Sequence, residues 1–141
     1  ALSELTGREY ALPTEAQWEY AARGGLNWSD MMYAGSEDLS KVGWYSGNSG
    51  GKVHAVRTKV ANGLGLYDMS GNAQEWCLDS YAANTYATAT ARNPLNYFDE
   101  NNGYVLRGGD ASSSMENCRV ARRAYGTDDR SNFAGFRLVK K

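Results

Sequence analysis

LPTEAQWEYAARGG (Leu12–Gly25) carries the plainest local structure in the chain. Thr14 followed three residues later by Gln17 has the form of a capping box, and Pro13 precedes it. Trp18, Ala21 and Ala22 then share one face at i, i+3 and i+4, while Glu15, Glu19 and Arg23 read as pointing to water. An acidic first turn suits the positive end of the helix dipole, and Gly24-Gly25 stops the helix. The pattern predicts a short helix that buries Trp18 against a sheet. Upstream, Ser3–Gly7 reads as a helix end closed by Gly7. Ala1–Tyr10 shows no charged, apolar and cleavage regions of an export signal, and a chain that opens inside an element reads as a piece of a longer protein.

Downstream, glycine, serine and aromatic residues run from Leu26 to Asn62, with strand candidates at Val42–Tyr45 and Val53–Val56 around the turn Asn48-Ser49-Gly50-Gly51. Leu64–Trp76 packs apolar residues around the turn Ser70-Gly71-Asn72, and Asp79–Gly103 reads as a long surface loop. Three closing strands are expected at Tyr104–Arg107, Cys118–Ala124 and Gly135–Val139, the last with Phe136 and Leu138 on its buried face. No internal repeat or domain boundary interrupts residues 1–141. One α+β domain with a small sheet, few helices and many irregular loops is the expectation.

Composition agrees. The 16 glycines among 141 residues exceed the usual share of about 7%. Lys+Arg 15 against Asp+Glu 16 gives a net charge of −1, which argues against a broad grip on nucleic acid or anionic lipid. No apolar run approaches the roughly 20 residues of a membrane helix, so no direct membrane insertion is expected from this stretch. Two cysteines are too few for a disulfide-built mini-protein or a four-cysteine zinc site.

Two segments could carry chemistry. In Asp68-Met69-Ser70-Gly71-Asn72-Ala73-Gln74-Glu75, two carboxylates seven residues apart flank a glycine turn. Carboxylate and backbone oxygens of this kind suit Ca²⁺. The alternative is that Asp68 only caps the turn and Glu75 pairs with an arginine. Cys118, followed by Arg119, Arg122 and Arg123, could be an activated thiol, whereas Cys77 between Trp76 and Leu78 reads as a core thiol. Structural cysteines, buried or bonded to each other, are the favoured reading for both. His54, the one histidine, excludes a multi-histidine metal site. Arg107, Arg119, Arg122, Arg123, Arg130 and Arg137 are interleaved with Asp110, Glu116, Asp128 and Asp129, which favours internal salt bridges over a nucleic-acid face.

The order of the blocks LPTEAQWEYAARGG, GLYDMSGNAQEW (Gly65–Trp76), VLRGG (Val105–Gly109) and GFRLV (Gly135–Val139) resembles the formylglycine-generating-enzyme, or sulfatase-modifying-factor, family. The resemblance spans nearly the whole chain and implies a C-type lectin fold of that family's type. It also implies a calcium site held by the side chains of Asp68 and Glu75 and the carbonyls of Gly71 and Ala73. Catalysis is not implied. The oxidase members hold copper with two cysteines shortly after the Gly-Gly that matches Gly108-Gly109. Here that stretch is Asp110-Ala111-Ser112-Ser113-Ser114, and only Cys118 remains nearby. A single thiolate does not supply the two soft ligands that Cu(I) favours, so no copper is expected.

A second branch of the fold comprises variable proteins of diversity-generating retroelements, whose segment between an RGG-like start and a GFRLV-like end is mutagenised at adenines. Residues 110–134 stand in that place. Mutated asparagine codons do not reach Lys, Glu, Gln, Met or Trp; residues 110–114 and 124–134 contain only reachable types, with Met115 and Glu116 between them. The resulting expectation is a non-enzymatic, calcium-stabilised module that binds a protein or cell-surface ligand and is displayed at a cell surface or outside the cell. Its expected contacts are Asp110, Ala111, Ser112, Ser113 and Ser114, then Ala124, Tyr125, Thr127, Asp128, Ser131, Asn132 and Phe133. The competing expectation is a formylglycine-generating oxidase, or a related sulfatase-modifying enzyme, that uses Cys118.

Overall fold

The structure is a computed structural model that describes residues 2–88, 94–96, 102–127 and 132–141. A short helix α1 (Leu2–Thr6) ends at Gly7, whose φ of +65° and N–H bond to the Ser3 carbonyl close it as the sequence predicts. Strand β1 (Tyr10–Ala11) leads into helix α2 (Glu15–Ala22). Its capping box is complete: the Gln17 N–H donates to Thr14 Oγ1 at 3.1 Å, and the Thr14 N–H donates to Gln17 Oε1 at 2.9 Å. A one-turn helix α3 (Leu39–Val42) follows, then strand β2 (Gln74–Ser80), a turn of helix α4 (Thr85–Thr88), and strands β3 (Tyr104–Arg107), β4 (Arg123–Gly126), β5 (Ala134–Gly135) and β6 (Val139–Lys140).

Among the described residues the strands form two sheets. One has the order β4-β3-β2-β5; the other pairs β1 with β6 and so sets Tyr10 opposite Lys140 and Ala11 opposite Val139. β2, β3 and β4 are antiparallel neighbours, with an irregularity in β2 between Trp76 and Ser80, while β5 runs parallel to β2. The sheet is therefore mixed at one edge. Helix α2 lies on it and buries Trp18 and Ala22 with Ala34, Met69, Cys77, Val105 and Val120. Tyr33, Leu39, Val42 and Cys118 form a second, smaller cluster.

Several local expectations fail for identifiable reasons. Val42 ends a helical turn whose start Asp38 caps by accepting the Ser40 N–H, and 53–56 is irregular, with no partner strand among the described residues. Cys118–Ala124 is not one strand: a 3₁₀ turn (Met115–Cys118) buries the thiol, and β4 begins only at Arg123. Gly135–Val139 is not one strand either: β5 ends at Gly135, β6 begins at Val139, and the burial expected between them is inverted. Phe136 and Leu138 are exposed, and Arg137 turns inward to a carboxylate. Glu15 is the largest departure. It is fully buried, although its place on α2 reads as solvent-facing.

Candidate functional site

The burial of Glu15 follows from the arginines that meet it. Its Oε1 accepts from Arg107 Nη1 and Arg123 Nε, both at 2.6 Å, and its Oε2 accepts from Arg123 Nη2 at 2.8 Å. Arg107 also reaches Glu19 and the Val120 carbonyl, each at 2.6 Å, and lies over the Trp18 ring. Burial works against the Arg107 charge, but Glu15 and Glu19 more than offset it and raise its pKa. Desolvation likewise works against the Glu19 carboxylate, and Arg107 and Arg23 reverse it, leaving Glu19 below its ordinary range. Asp79 of β2 accepts the Glu15 N–H at 2.7 Å, so the first turn of α2 is fixed to the sheet by charge and by capping.

The acidic turn is held in an unusual backbone. Asp68, Gly71 and Asn72 have φ of +59°, +82° and +69°. Asn72 clamps three segments to this turn. Its Oδ1 accepts from the His54 N–H at 2.8 Å, its own N–H donates to the Trp44 carbonyl at 2.7 Å, and its carbonyl accepts from the Ala111 N–H at 2.9 Å. The Gly71 N–H donates to the Gly108 carbonyl at 2.8 Å. The turn therefore supports the start of residues 110–134 directly. His54 stacks on Trp44 with ring centroids 3.8 Å apart, in a structural role.

Asp68 and Glu75 both line a cleft of about 550 Å³ that also receives Ala73, Asn72 and Arg137. Asp68 Oδ2 accepts from the Arg57 N–H at 2.8 Å, but Asp68 Oδ1 is buried without a hydrogen-bond partner. Glu75 is differently placed: Arg137 grips it through Nε and Nη2, both at 2.6 Å, and Trp18 Nε1 donates to it at 2.7 Å. The arginine partner allowed by the sequence is thus Arg137. Among the described residues no three His, Cys, Asp or Glu side chains gather as a metal cluster. A cation here would use the open Asp68 oxygen and backbone carbonyls, and would share Glu75 with Arg137. An unpartnered buried carboxylate oxygen fits that demand, since leaving such an atom unsatisfied costs about 1–3 kcal/mol or more.

The expected contact residues divide. Ala111 is completely buried, and its N–H and carbonyl are bonded to Asn72 and Ser49, so it belongs to the frame and not to a contact face. Asp110 is 8% exposed, and its Oδ1 accepts from both the N–H and the hydroxyl of Ser112. It shapes the loop. Ser112 and Ser114 are exposed and Ser113 is half-buried. Ser113 and Ala124 meet in a small cleft of about 170 Å³ with Gln74, Asn117 and Arg122. Tyr125 is 62% exposed and rests on Tyr81, on the face of β4 opposite Ala124, because neighbouring strand residues alternate. Thr127 is exposed just beyond the far end of β4, Asn132 is exposed, and the Phe133 carbonyl accepts the Gln74 N–H at 2.8 Å. Asp128 and Ser131 lie outside the described residues. The set therefore spans two faces of the sheet.

The activated-thiol reading is corrected. Cys118 is fully buried below Gly109, where an added Cβ would lie 2.9 Å from its sulfur. Burial, with Asp110 and Glu116 adding to it, pushes its thiol up to about 12, the reverse of activation by the arginines that follow it. Cys77 is buried, also raised by desolvation, and both cysteines are free.

These features define a loop-built α+β domain of the C-type lectin-like kind, with an acidic turn propping a C-terminal surface segment. A family model for the sulfatase-modifying factor enzyme 1-like domain matches residues 1–141, and the chain belongs to that family. The formylglycine-generating enzyme of Streptomyces coelicolor is 35% identical over 146 aligned positions, covering 91% of this chain and 46% of the relative. Treponema denticola variable protein 1 superposes with a TM-score of 0.77 at 37% identity, over 93% of this chain and 47% of that one. PvdO from Pseudomonas aeruginosa superposes with a TM-score of 0.85 at 27% identity, over 99% and 56% of the two chains. The chain spans about half, or less, of the length of the curated relatives it matches. Its relatives thus include both enzymes and a variable protein.

Proposed function

We propose that this chain is a non-enzymatic ligand-binding module of the variable-protein type, built on the formylglycine-generating-enzyme scaffold. The observation that carries this reading is at residues 110–118. Serines follow Gly108-Gly109 where the oxidase resemblance calls for a first cysteine, and the remaining thiol, Cys118, is buried and held protonated. Two soft, accessible thiolates are what Cu(I) chemistry requires, and this segment offers none. The resemblance to Treponema denticola variable protein 1 supports the binding alternative. The ligand is a protein or a cell-surface molecule, and the module acts at a cell surface or outside the cell. Ser112, Ser114, Tyr125, Thr127 and Asn132 supply exposed, exchangeable contacts on a fixed frame.

Cu(I) competition titration alongside a cysteine-peptide oxidation assay tests the choice directly. Neither copper binding nor aldehyde formation is expected. Tight copper binding that disappears in Cys118→Ser would establish the oxidase reading instead.

Ca²⁺ in the acidic turn completes the proposal, supported by the open Asp68 Oδ1. An ion that binds only the folded state raises its stability by roughly 2.7 kcal/mol at a hundredfold excess over Kd. Calcium is therefore expected to raise the melting temperature by several degrees over a chelator-treated sample, and Asp68→Asn to abolish the rise. Identical melting curves with calcium and with chelator would remove calcium from the account.

A further inference from the structure

The cleft of about 170 Å³ beside β3 and β4 is lined by Gln74, Ser113, Asn117 and Arg122, with Leu106 and Ala124 as apolar walls. Its chemistry is one-sided. Arg107, Arg123 and Arg137 are each bound to a glutamate, whereas the Arg122 side chain has no ion pair or hydrogen bond among the described residues. Among the described residues the side-chain amides of Gln74 and Asn117 have no partner either, whereas their main-chain N–H groups donate to the Phe133 and Ser114 carbonyls. Ser113 Oγ accepts the Asp110 N–H at 3.1 Å, which leaves its own proton to donate. Among the described residues no acidic side chain lines the cleft, and of the two carboxylates three positions from Ser113, Asp110 is already occupied by Ser112 while Glu116 is exposed on the 3₁₀ turn.

One guanidinium, two amides and one hydroxyl therefore face a small space with donors in excess and, among the described residues, no carboxylate in its lining. We propose that this cleft binds a carboxylate group, carried by an aspartate or glutamate residue or by the free carboxyl end of a peptide. Arg122 supplies the charge and a two-pronged fork, and the amides and hydroxyl fill the remaining lone pairs. A single positive charge, with Glu116 on the adjoining turn, matches a monoanion better than a phosphate dianion. Leu106 and Ala124 take the methylene arm that carries the carboxylate. This goes beyond the display reading and stands whether or not residues 110–134 are diversified.

The test is a titration of the ¹⁵N-labelled protein followed by NMR. The ligands are N-acetylaspartate methylamide for an acidic residue and N-acetylglycine for a terminal carboxylate, with N-acetylasparagine methylamide as the neutral control and inorganic phosphate as the dianion. At least one carboxylate ligand is expected to give saturable shifts at Arg122 Nε and at the Gln74 and Asn117 side-chain amides. The tighter of the two identifies the source. The neutral control should leave those signals in place. Arg122→Gln should weaken binding at least tenfold and Asn117→Ala at least threefold, with the rest of each spectrum unchanged. The proposal is overturned if neither carboxylate moves these signals, if the asparagine analogue moves them equally, if phosphate saturates first, or if Arg122→Gln binds like the parent protein.

Discussion

Glu15→Gln is expected to lower the folding stability by about 3–5 kcal/mol, the effect of removing one partner from a buried ion pair. The reason is the geometry around one carboxylate. Glu15 is fully buried and neutralises Arg107, which is 1% exposed, and Arg123 at the same time. Glutamine keeps the shape and one acceptor but removes the charge. Arg107 then has only Glu19, whose side chain is partly open to water, and Arg123 has none. For a protein of this length the loss amounts to a fall in melting temperature of roughly 10–15 °C. Arg123→Gln should do less, because Glu15 retains Arg107 and the Arg123 side chain reaches solvent. Thermal melts with urea titrations measure both. A change below about 1 kcal/mol for Glu15→Gln would mean that water, not the two arginines, balances this carboxylate.

That network also explains which parts of the fold were legible in the sequence. The start of α2 could be read because Thr14 and Gln17 are neighbours, and every bond of the capping box lies within three residues. The fate of Glu15 on the same helix could not, because its partners stand 92 and 108 positions away. β2 escaped for a related reason. QEWCLDS alternates poorly, since Glu75 and Asp79 are polar residues turned inward to Arg137, Trp18 and the α2 cap. A strand whose core face carries charged partners does not show the period-2 pattern from which strands are recognised. Phe136 and Leu138 misled in the opposite sense, because the arginine between them is the residue that the interior requires.

The candidate site follows the same division. The acidic turn could be located from Ser70-Gly71-Asn72 and its flanking carboxylates, because turn chemistry is local. That Asn72 joins this turn to Trp44, His54 and Ala111 depends on the fold, so Asp110 and Ala111 read as contacts when they are framework. Gln74 and Asn117 carried no local signal, and Arg122, read with its neighbours as a salt-bridge former, has no ion pair among the described residues. Their meeting in one cleft depends on β2 lying beside β3 and on the backbone returning through the 3₁₀ turn.

Gly71→Ala is expected to be the most disruptive small substitution in the acidic turn, by roughly 2–5 kcal/mol from two additive sources. With φ at +82°, any L side chain there has a strained backbone, at about 1–2 kcal/mol. The added Cβ would also lie 2.3 Å from the Trp44 carbonyl oxygen. That oxygen cannot retreat, since it accepts the Asn72 N–H at 2.7 Å, while the Gly71 N–H is fixed to Gly108. Relief requires the turn to leave Trp44 or Gly108, and either movement loosens the support beneath Asp110 and Ala111. Gly50→Ala is the matched control: its φ is +64°, but nothing lies within 4 Å of the new Cβ, so only the backbone strain applies. Thermal melts should show a loss several times larger for Gly71→Ala than for Gly50→Ala. The stabilisation by calcium proposed above should also be mostly lost in the Gly71 variant, because Asp68 and the Gly71 carbonyl belong to the same turn. Equal losses for the two variants would show that Trp44 yields freely and that the turn is not the rigid prop of the C-terminal segment.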